Sequence, residues 1–333
     1  MVMLRGYTLF ILLLVVLYGS GVEAQILDRA DVQSFIQKMV SEHDFDARRL
    51  RDVFKDVRES DSVLQAITRP AEALPWYQYR TIFLRDDRIR HGVRFLKKNK
   101  QVLQRAEHEY GVPAEVITAI IGVETRYGKQ KGGYRVLDSL STLAFDYPPR
   151  SDFFLGELEQ FLLLTREQGL DPRKVMGSYA GAMGIPQFIA SSYRRYAVDF
   201  DGDGRIDIWD SSADAIGSVA NYFKAHGWLP GGLVAVPALI SGDDYRMLLS
   251  DGLKPDVDVS RLPVYGIFPQ QALGVTDAVK LLEFQLKGGE EYWLGLQNFY
   301  VITRYNHSAQ YAMAAYQLAE AIKNRYRDHL AEN

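Results

Sequence analysis

From Asp31 to about Gly111 the apolar residues recur at three- and four-residue spacing, the pattern of helices that each bury one face. Val32, Phe35, Ile36 and Val40 form one such face, with Asp31 as its predicted cap. Leu50, Val53 and Phe54 form the next, capped by Asp46. The stretch from Pro70 to Pro75 breaks the pattern, and Trp76, Tyr77 and Tyr79 cluster after it. A longer helix carrying Val93, Leu96, Val102, Leu103 and Ala106 is predicted to run to Gly111. Pro113 opens another at its first turn, where a missing N–H costs nothing, and that helix ends near Gly128. Ser139–Phe145, Phe153–Leu164 and the segment closing at Asn221–His226 read as further helices.

Between about Leu229 and Tyr292 the texture changes. Pro and Gly become frequent and the apolar runs shorten to Leu233–Ile240, Leu262–Phe268 and Val279–Leu286. Gly288-Gly289 followed by Tyr292 and Trp293 is a hairpin signal. Asn306 or Ser308 then caps a final helix through Tyr316, Leu318 and Ile322. The expected fold is mainly α (α+β), a helical protein with a small β-rich insertion and no internal repeat.

Composition narrows the function. At roughly 150 residues per domain, 333 residues suggest about two domains, and 47% hydrophobic content supplies their cores. A net charge of −3 carries no basic footprint, so nucleic-acid binding is not expected. The absence of cysteine removes disulfides, thiolate metal sites, cysteine nucleophiles and a bacterial lipid anchor together. Arg5, the apolar run Leu9–Leu17 and the small residues leading to Ala24 describe a secretory signal, residues 1–24, cut after Ala24. Export to the periplasm is the expected location. The six histidines show no metal spacing, and no nucleophile elbow, Walker loop or dinucleotide fingerprint is present.

Two carboxylate features stand out. Glu124 follows Ile117, Ile120 and Ile121 on one helical stripe, with Tyr127 and Gly128 on its other side, and no Lys or Arg at pairing distance along the helix. An apolar stripe favours the neutral carboxyl, which is what a general acid needs at neutral pH. Arg126 or Arg135 reaching it through space is the alternative. The second feature is Asp199-Phe-Asp-Gly-Asp-Gly-Arg-Ile-Asp207, the start of an EF-hand loop. Asp199, Asp201 and Asp203 occupy positions one, three and five, Gly204 takes the sharp turn, and Arg205 offers its main-chain oxygen. Position twelve is Asp210 rather than Glu, so the loop closes through Asp210 and water or through Asp214 in a lengthened loop. Structural calcium, with no organic cofactor, is the expectation. Trp76, Tyr77, Tyr79, Tyr222, Tyr300 and Tyr305 fall near predicted loops or helix ends, where aromatic faces stack on sugar rings.

The segments GVPAEVITAIIGVETRYG (111–128) and GSYAGAMGIPQFIASSYRRYAVDFDGDG (177–204) resemble the B-type lytic murein transglycosylases. DAIGSVANYFKAHGW (214–228) and NFYVITRYNHS (298–308) extend the resemblance, which covers roughly Val32 to Ile322. It implies a lysozyme-like helical core within a helical domain, one EF-hand and a small β domain. The corresponding division is 25–110 helical, 111–228 catalytic core with the loop at 199–214, 229–294 β-rich, and 295–333 returning to the core. It also implies peptidoglycan as the partner, with the β-1,4 bond between N-acetylmuramic acid and N-acetylglucosamine cleaved to a 1,6-anhydro end by one glutamate, Glu124. Ser178 matches the family serine beside the glutamate and Gln187 the sugar-binding glutamine. Tyr222 and Tyr305 match cleft aromatics, with Tyr79, Met183 and Tyr300 as further carry-overs. The family's terminal loop carboxylate lies beyond position twelve, which favours Asp214 over Asp210. Other cell-wall enzymes are candidate partners. The sequence departs at Pro148-Pro149-Arg150 and Phe153, where the family often has paired arginines and a tyrosine. Alternatives are a hydrolytic muramidase of the same fold, a calcium-dependent peptidoglycan-binding scaffold without activity, and a calcium sensor.

Overall fold

Apolar spacing becomes helix over most of the chain. The computed structural model describes residues 26–68, 74–275 and 277–331, so the signal call on 1–24 and part of the Pro70–Pro75 break lie outside the described residues. Two compact units follow along the chain, one ending at Lys55 and the other starting at Asp56.

The first holds α1 (Ala30–His43) and α2 (Ala47–Lys55). Val32, Phe35, Ile36 and Met39 face inward on α1, and Leu50, Val53 and Phe54 on α2. The rings of Phe35 and Phe54 meet edge to face at 6.0 Å. Asp46 caps α2 as expected, accepting the Arg49 N–H at 2.8 Å. Asp31 does not cap α1. The helix starts one residue earlier, and Asp31 pairs with Arg29 in its first turn.

The second unit opens with α3 (Asp61–Ile67), α4 (Trp76–Phe83), α5 (Asp86–Lys98), α6 (Lys100–Tyr110) and α7 (Ala114–Thr125). The single helix expected through residues 93–106 is two, α5 and α6. At Asn99 the backbone turns out of helical geometry (φ −106°, ψ 20°), and the residue's amide and side chain both serve the carbonyl of Phe95. Next come β1 (Tyr134–Arg135), α8 (Val136–Asp146), α9 (Ser151–Glu167), β2 (Met176–Gly177), α10 (Ala190–Tyr196) and α11 (Ser212–Ala225). α7 is buried almost all round, from Val116 to Gly122 and again at Thr125, as its run of apolar residues requires.

The insertion is a five-stranded antiparallel sheet of β3 (Ala235–Ile240), β4 (Val257–Asp258), β5 (Ile267–Pro269), β6 (Ala278–Leu286) and β7 (Gly289–Gly295), ordered β4-β6-β7-β3-β5. The Gly288-Gly289 hairpin joins β6 to β7, with Leu286 opposite Gly289. The apolar run at 262–268 is only partly strand, because residues 259–265 wind into a 3₁₀ helix before β5. Val236, Leu281, Leu294 and Ile267 form the sheet's inner face. Trp76 of α4 ties the sheet to the helices, its ring 5.0 Å from Phe284 and its indole N–H donating to Glu291 at 2.6 Å. α12 (Gln297–Tyr305) and α13 (Ala309–Ala331) complete the chain, and Ser308 is the residue that caps α13. Among the described residues no helix is long and apolar enough to cross a membrane.

Candidate active site

Glu124 lies at the last turn of α7, and the residues after it explain how the helix ends there. Arg126 (φ 50°) and Tyr127 (φ 63°) both adopt left-handed backbone, a costly conformation for side-chain-bearing residues that clusters at functional sites. Their N–H groups cap the carbonyls of Gly122 and Ile121. The chain folds back so tightly that the Tyr127 ring lies against Gly122, where a Cβ would come within 2.6 Å of it. Gly122 is therefore needed for close approach. The buried Arg88 donates to the Gly122 carbonyl at 2.7 Å and Tyr127 Oη donates to the Arg88 carbonyl at 2.9 Å, fixing the turn from α5.

The two arginines named as alternative partners of Glu124 pair with other acids. Arg126 pairs with Asp87 at 3.6 Å and Arg135 with Asp138 at 3.5 Å. Glu124, half-buried, instead accepts a hydrogen bond from Tyr311 Oη of α13. Tyr311 is 3% exposed, and burial followed by the charge of Glu124 pushes its hydroxyl well above the usual phenol range, so it stays a proton donor. Tyr305 is raised for the same two reasons in the same order. Sequence reasoning passed over Tyr311. Its contact with Glu124 spans 187 residues and exists only because α13 packs on α7. A local signal was there in its place one turn after the Ser308 cap, but that signal points to helix geometry rather than chemistry.

Ser178 and Gln187 shape the loop that follows β2. Ser178 Oγ accepts the N–H groups of Ala180 and Ala182 at 3.2 and 3.0 Å. Met183 and Phe188 exchange two backbone hydrogen bonds, and Gln187 sits between them in left-handed conformation (φ 52°). Its side-chain amide donates to the carbonyls of Gly184 at 2.9 Å and Lys131 at 3.3 Å. Gly132 lets this loop approach, since a Cβ there would lie 2.0 Å from the Gly177 carbonyl oxygen at φ +90°. Thr125, just after Glu124, bonds the Ile185 carbonyl at 2.9 Å and so joins α7 to the same loop.

The aromatic carry-overs divide. Tyr305 is half-buried among Phe188, Tyr222 and Phe223, and its hydroxyl donates to the Pro186 carbonyl at 2.6 Å. Tyr300 is half-exposed beside Arg304. Tyr222 lies in the last turn of α11, near a helix end as expected, and is buried there, stacked on His226 at 4.0 Å with its hydroxyl donating to the Arg304 carbonyl at 2.5 Å. Tyr79 (2% exposed) and Met183 (0%) are also buried. Tyr79 packs on Trp76 and Phe83. At the departure from the family pattern, the Arg150 guanidinium lies 4.3 Å over the exposed Phe153 ring.

The acidic loop precedes α11. One carboxylate oxygen from each of Asp199, Asp201 and Asp203 lies within 4.8 Å of the others. Among the described residues none of the three forms an ion pair. Three converging carboxylates without a cation repel one another, and an all-oxygen set of this kind fits a hard divalent ion such as calcium. Asp214 is 1% exposed, and its oxygens accept the backbone N–H groups of Phe200 at 2.7 Å, Asp201 at 3.3 Å and Asp207 at 2.7 Å. It closes the loop through the main chain. Asp210 points away to Lys131, 2.8 Å off.

Comparison with known proteins accounts for this architecture. The family model described as Transglycosylase SLT domain matches residues 28–320. The chain is 46% identical over 302 residues to "Membrane-bound lytic murein transglycosylase B" of Escherichia coli (strain K12), covering 88% of this chain and 82% of that protein. Among solved structures it is similar to catenated lytic transglycosylase SltB1 from Pseudomonas aeruginosa, with 51% identity, TM-score 0.86, and coverage of 90% and 98%. It is also similar to Escherichia coli Slt35 in complex with calcium, with 46% identity, TM-score 0.83, and coverage of 90% and 94%. The chain belongs to the transglycosylase SLT domain family, with the mainly helical, lysozyme-like fold of these neighbours, and is an enzyme of the lytic transglycosylase class.

Proposed function

We propose that this protein cleaves peptidoglycan at the β-1,4 bond between N-acetylmuramic acid and N-acetylglucosamine and leaves a 1,6-anhydromuramic end. The observation that carries the reading is Glu124, on an apolar helix with its acid group met by the buried Tyr311 hydroxyl, in a chain of this family. Glu124, entering as the acid, protonates the leaving glycosidic oxygen. The resulting carboxylate takes the proton of the muramic acid C6 hydroxyl as that oxygen attacks the anomeric carbon of its own sugar. One carboxylate serves both steps, where an ordinary glycosidase uses two. The attack is intramolecular, so the protein's share is to hold the sugar in the reactive pose. Tyr311 holds the carboxyl group in one orientation throughout.

Ser178 and Gln187 are assigned to the sugar, with Tyr305 and Tyr300 at its edge and Tyr222, Tyr79 and Met183 supporting them from behind. Related structures were obtained with bulgecin A (Slt35) and with NAG-anhNAM-pentapeptide (SltB3), which supports a glycan occupant here. Calcium would be held by Asp199, Asp201, Asp203 and the Arg205 main-chain oxygen, with Asp214 or Asp210 completing the set. When bound it supplies charge neutralisation that locks the loop onto α11. Residues 25–110, 111–228, 229–294 and 295–333 are the working division into helical, catalytic, β-rich and returning segments, and the periplasm is the proposed location.

Reducing ends counted against bonds cleaved test the reading. Cleavage without new reducing ends is expected. One reducing end per cleavage would make the protein a hydrolytic muramidase, and glycan retention without cleavage would make it a scaffold.

A further inference from the structure

A cavity of about 350 Å³ opens between α5 and the segment following Glu124. His91, Arg94 and Lys98 line it from one face of α5, and Lys129 and Lys131 from the facing segment. Asp210 is the only carboxylate in the lining, and Lys131 holds it at 2.8 Å. Nearby acids on α5 are engaged elsewhere, Asp86 with Arg90 and Arg325 and Asp87 with Arg85 and Arg126. Among the described residues Arg94, Lys98 and Lys129 therefore form no ion pair. Lys129 Nζ lies 3.3 Å from His91 Nε2, and burial followed by the charges of Lys129 and Arg94 lowers the His91 pKa, as a locally positive field requires. In a chain of net charge −3 this concentration of cations is a local feature.

The remaining walls mix apolar and aromatic side chains with the polar Asn99 and Ser212. The Phe95 and Tyr127 rings lie 5.8 Å apart, and Ile185 and Trp209 add to the apolar part of the lining. Cations over an aromatic floor, in a volume within the range of small-ligand sites, suit an occupant with carbon side chains between its charges. A bare or polymeric phosphate has no use for the floor. The cavity is also joined to the site assigned to the glycan, since the carbonyl of Lys131 accepts the Gln187 amide and Ile185 lies in the Gln187 loop.

We propose that this cavity binds the acidic peptide carried by the glycan strand, its carboxylates meeting Arg94, Lys98 and Lys129. The proposal rests on peptidoglycan being the substrate. The test uses the full chain and two substrates, strands bearing their peptides and strands stripped of them. For the wild type, KM for stripped strands is expected to exceed KM for peptide-bearing strands by about fivefold, the effect of a few exposed charge contacts. In R94E/K98E that ratio falls to one. In K97E, on the same helix but outside the cavity, it stays at the wild-type value. A wild-type ratio of one, or a ratio unchanged in R94E/K98E, overturns the proposal. Turnover of neither strand by the wild type would instead reject the substrate reading. Calorimetry with an acidic pentapeptide, and separately with inorganic phosphate, then tests the cavity alone. Peptide binding lost in R94E/K98E supports it, and either phosphate binding in place of peptide or no binding of either overturns it.

Discussion

Glu124 accepts a hydrogen bond from a phenol, whereas Asp199, Asp203 and Asp214 accept theirs from backbone amides. The first is an acid on an apolar helix that accepts a hydrogen bond from the neutral Tyr311 hydroxyl. The second is a set of acids crowded together, with loop N–H groups directed at Asp199, Asp203 and Asp214. Amides that donate to a carboxylate stabilise its charged form, while a protonated phenol beside a carboxyl tolerates either form. Burial raises the Asp214 carboxyl above its ordinary range, and the N–H groups of Asp207 and Phe200 oppose that shift.

The largest expected effect comes from removing the proposed acid. Glu124→Gln should lower turnover of peptidoglycan by about 10²–10⁴-fold, the usual share of a general acid or base, while circular dichroism and glycan retention match the wild type. The loop breaks differently. Asp214→Ala removes the acceptor of three N–H groups, one buried and two part-buried, and should cost about 2 kcal/mol, read as a lower Tm, whereas Asp210→Ala at its exposed pair with Lys131 should cost under ~1 kcal/mol. Equal losses would show that Asp214 is not the closing residue. Calcium at a hundredfold excess over its Kd should stabilise the protein by about 2.7 kcal/mol, and chelation should reverse the gain. Asp203→Asn should shrink it, and a Tm insensitive to calcium would count against a bound ion.

Tyr311→Phe sharpens the other side. Losing one hydrogen bond to an ionisable group should reduce kcat by about tenfold with KM little changed, because the phenol orients the acid rather than the sugar. A purely structural role would lower Tm and leave kcat alone. The smallest effect concerns Glu157, 6% exposed, whose pKa is raised mainly by burial, with the bonds from Ser191 opposing. The native state then holds this proton more tightly than the unfolded chain. Its contribution to stability falls as pH rises from the ordinary value of 4.5 through the raised one. Glu157→Gln should flatten that part of the stability profile, and an unchanged slope would remove Glu157 as its source.

Much of this was legible in the sequence because the signals are local. The caps at Asp46 and Ser308, the β-rich texture after Leu229, the Gly288-Gly289 hairpin and the acidic loop each depend on residues a few positions apart. Glu124 was legible for the same reason, since its apolar stripe lies on its own helix. The break at Asn99 was not, because the apolar periodicity runs on through a turn made by one side chain and its backbone. Tyr311 and the burial of Tyr222 arise from packing between elements far apart in the chain, and spacing along one element carries no trace of it. The cation-lined cavity escaped for the same reason, since its charges come from two segments that each read as ordinary solvated surface.

The most direct test of the central claim is mass spectrometry of the soluble products after the purified protein is incubated with peptidoglycan. The account predicts muropeptides with 1,6-anhydromuramic ends, each lighter by one water than the product of hydrolysis, and none from Glu124→Gln. Products carrying the added water would contradict it, and would require a second carboxylate to deliver that water.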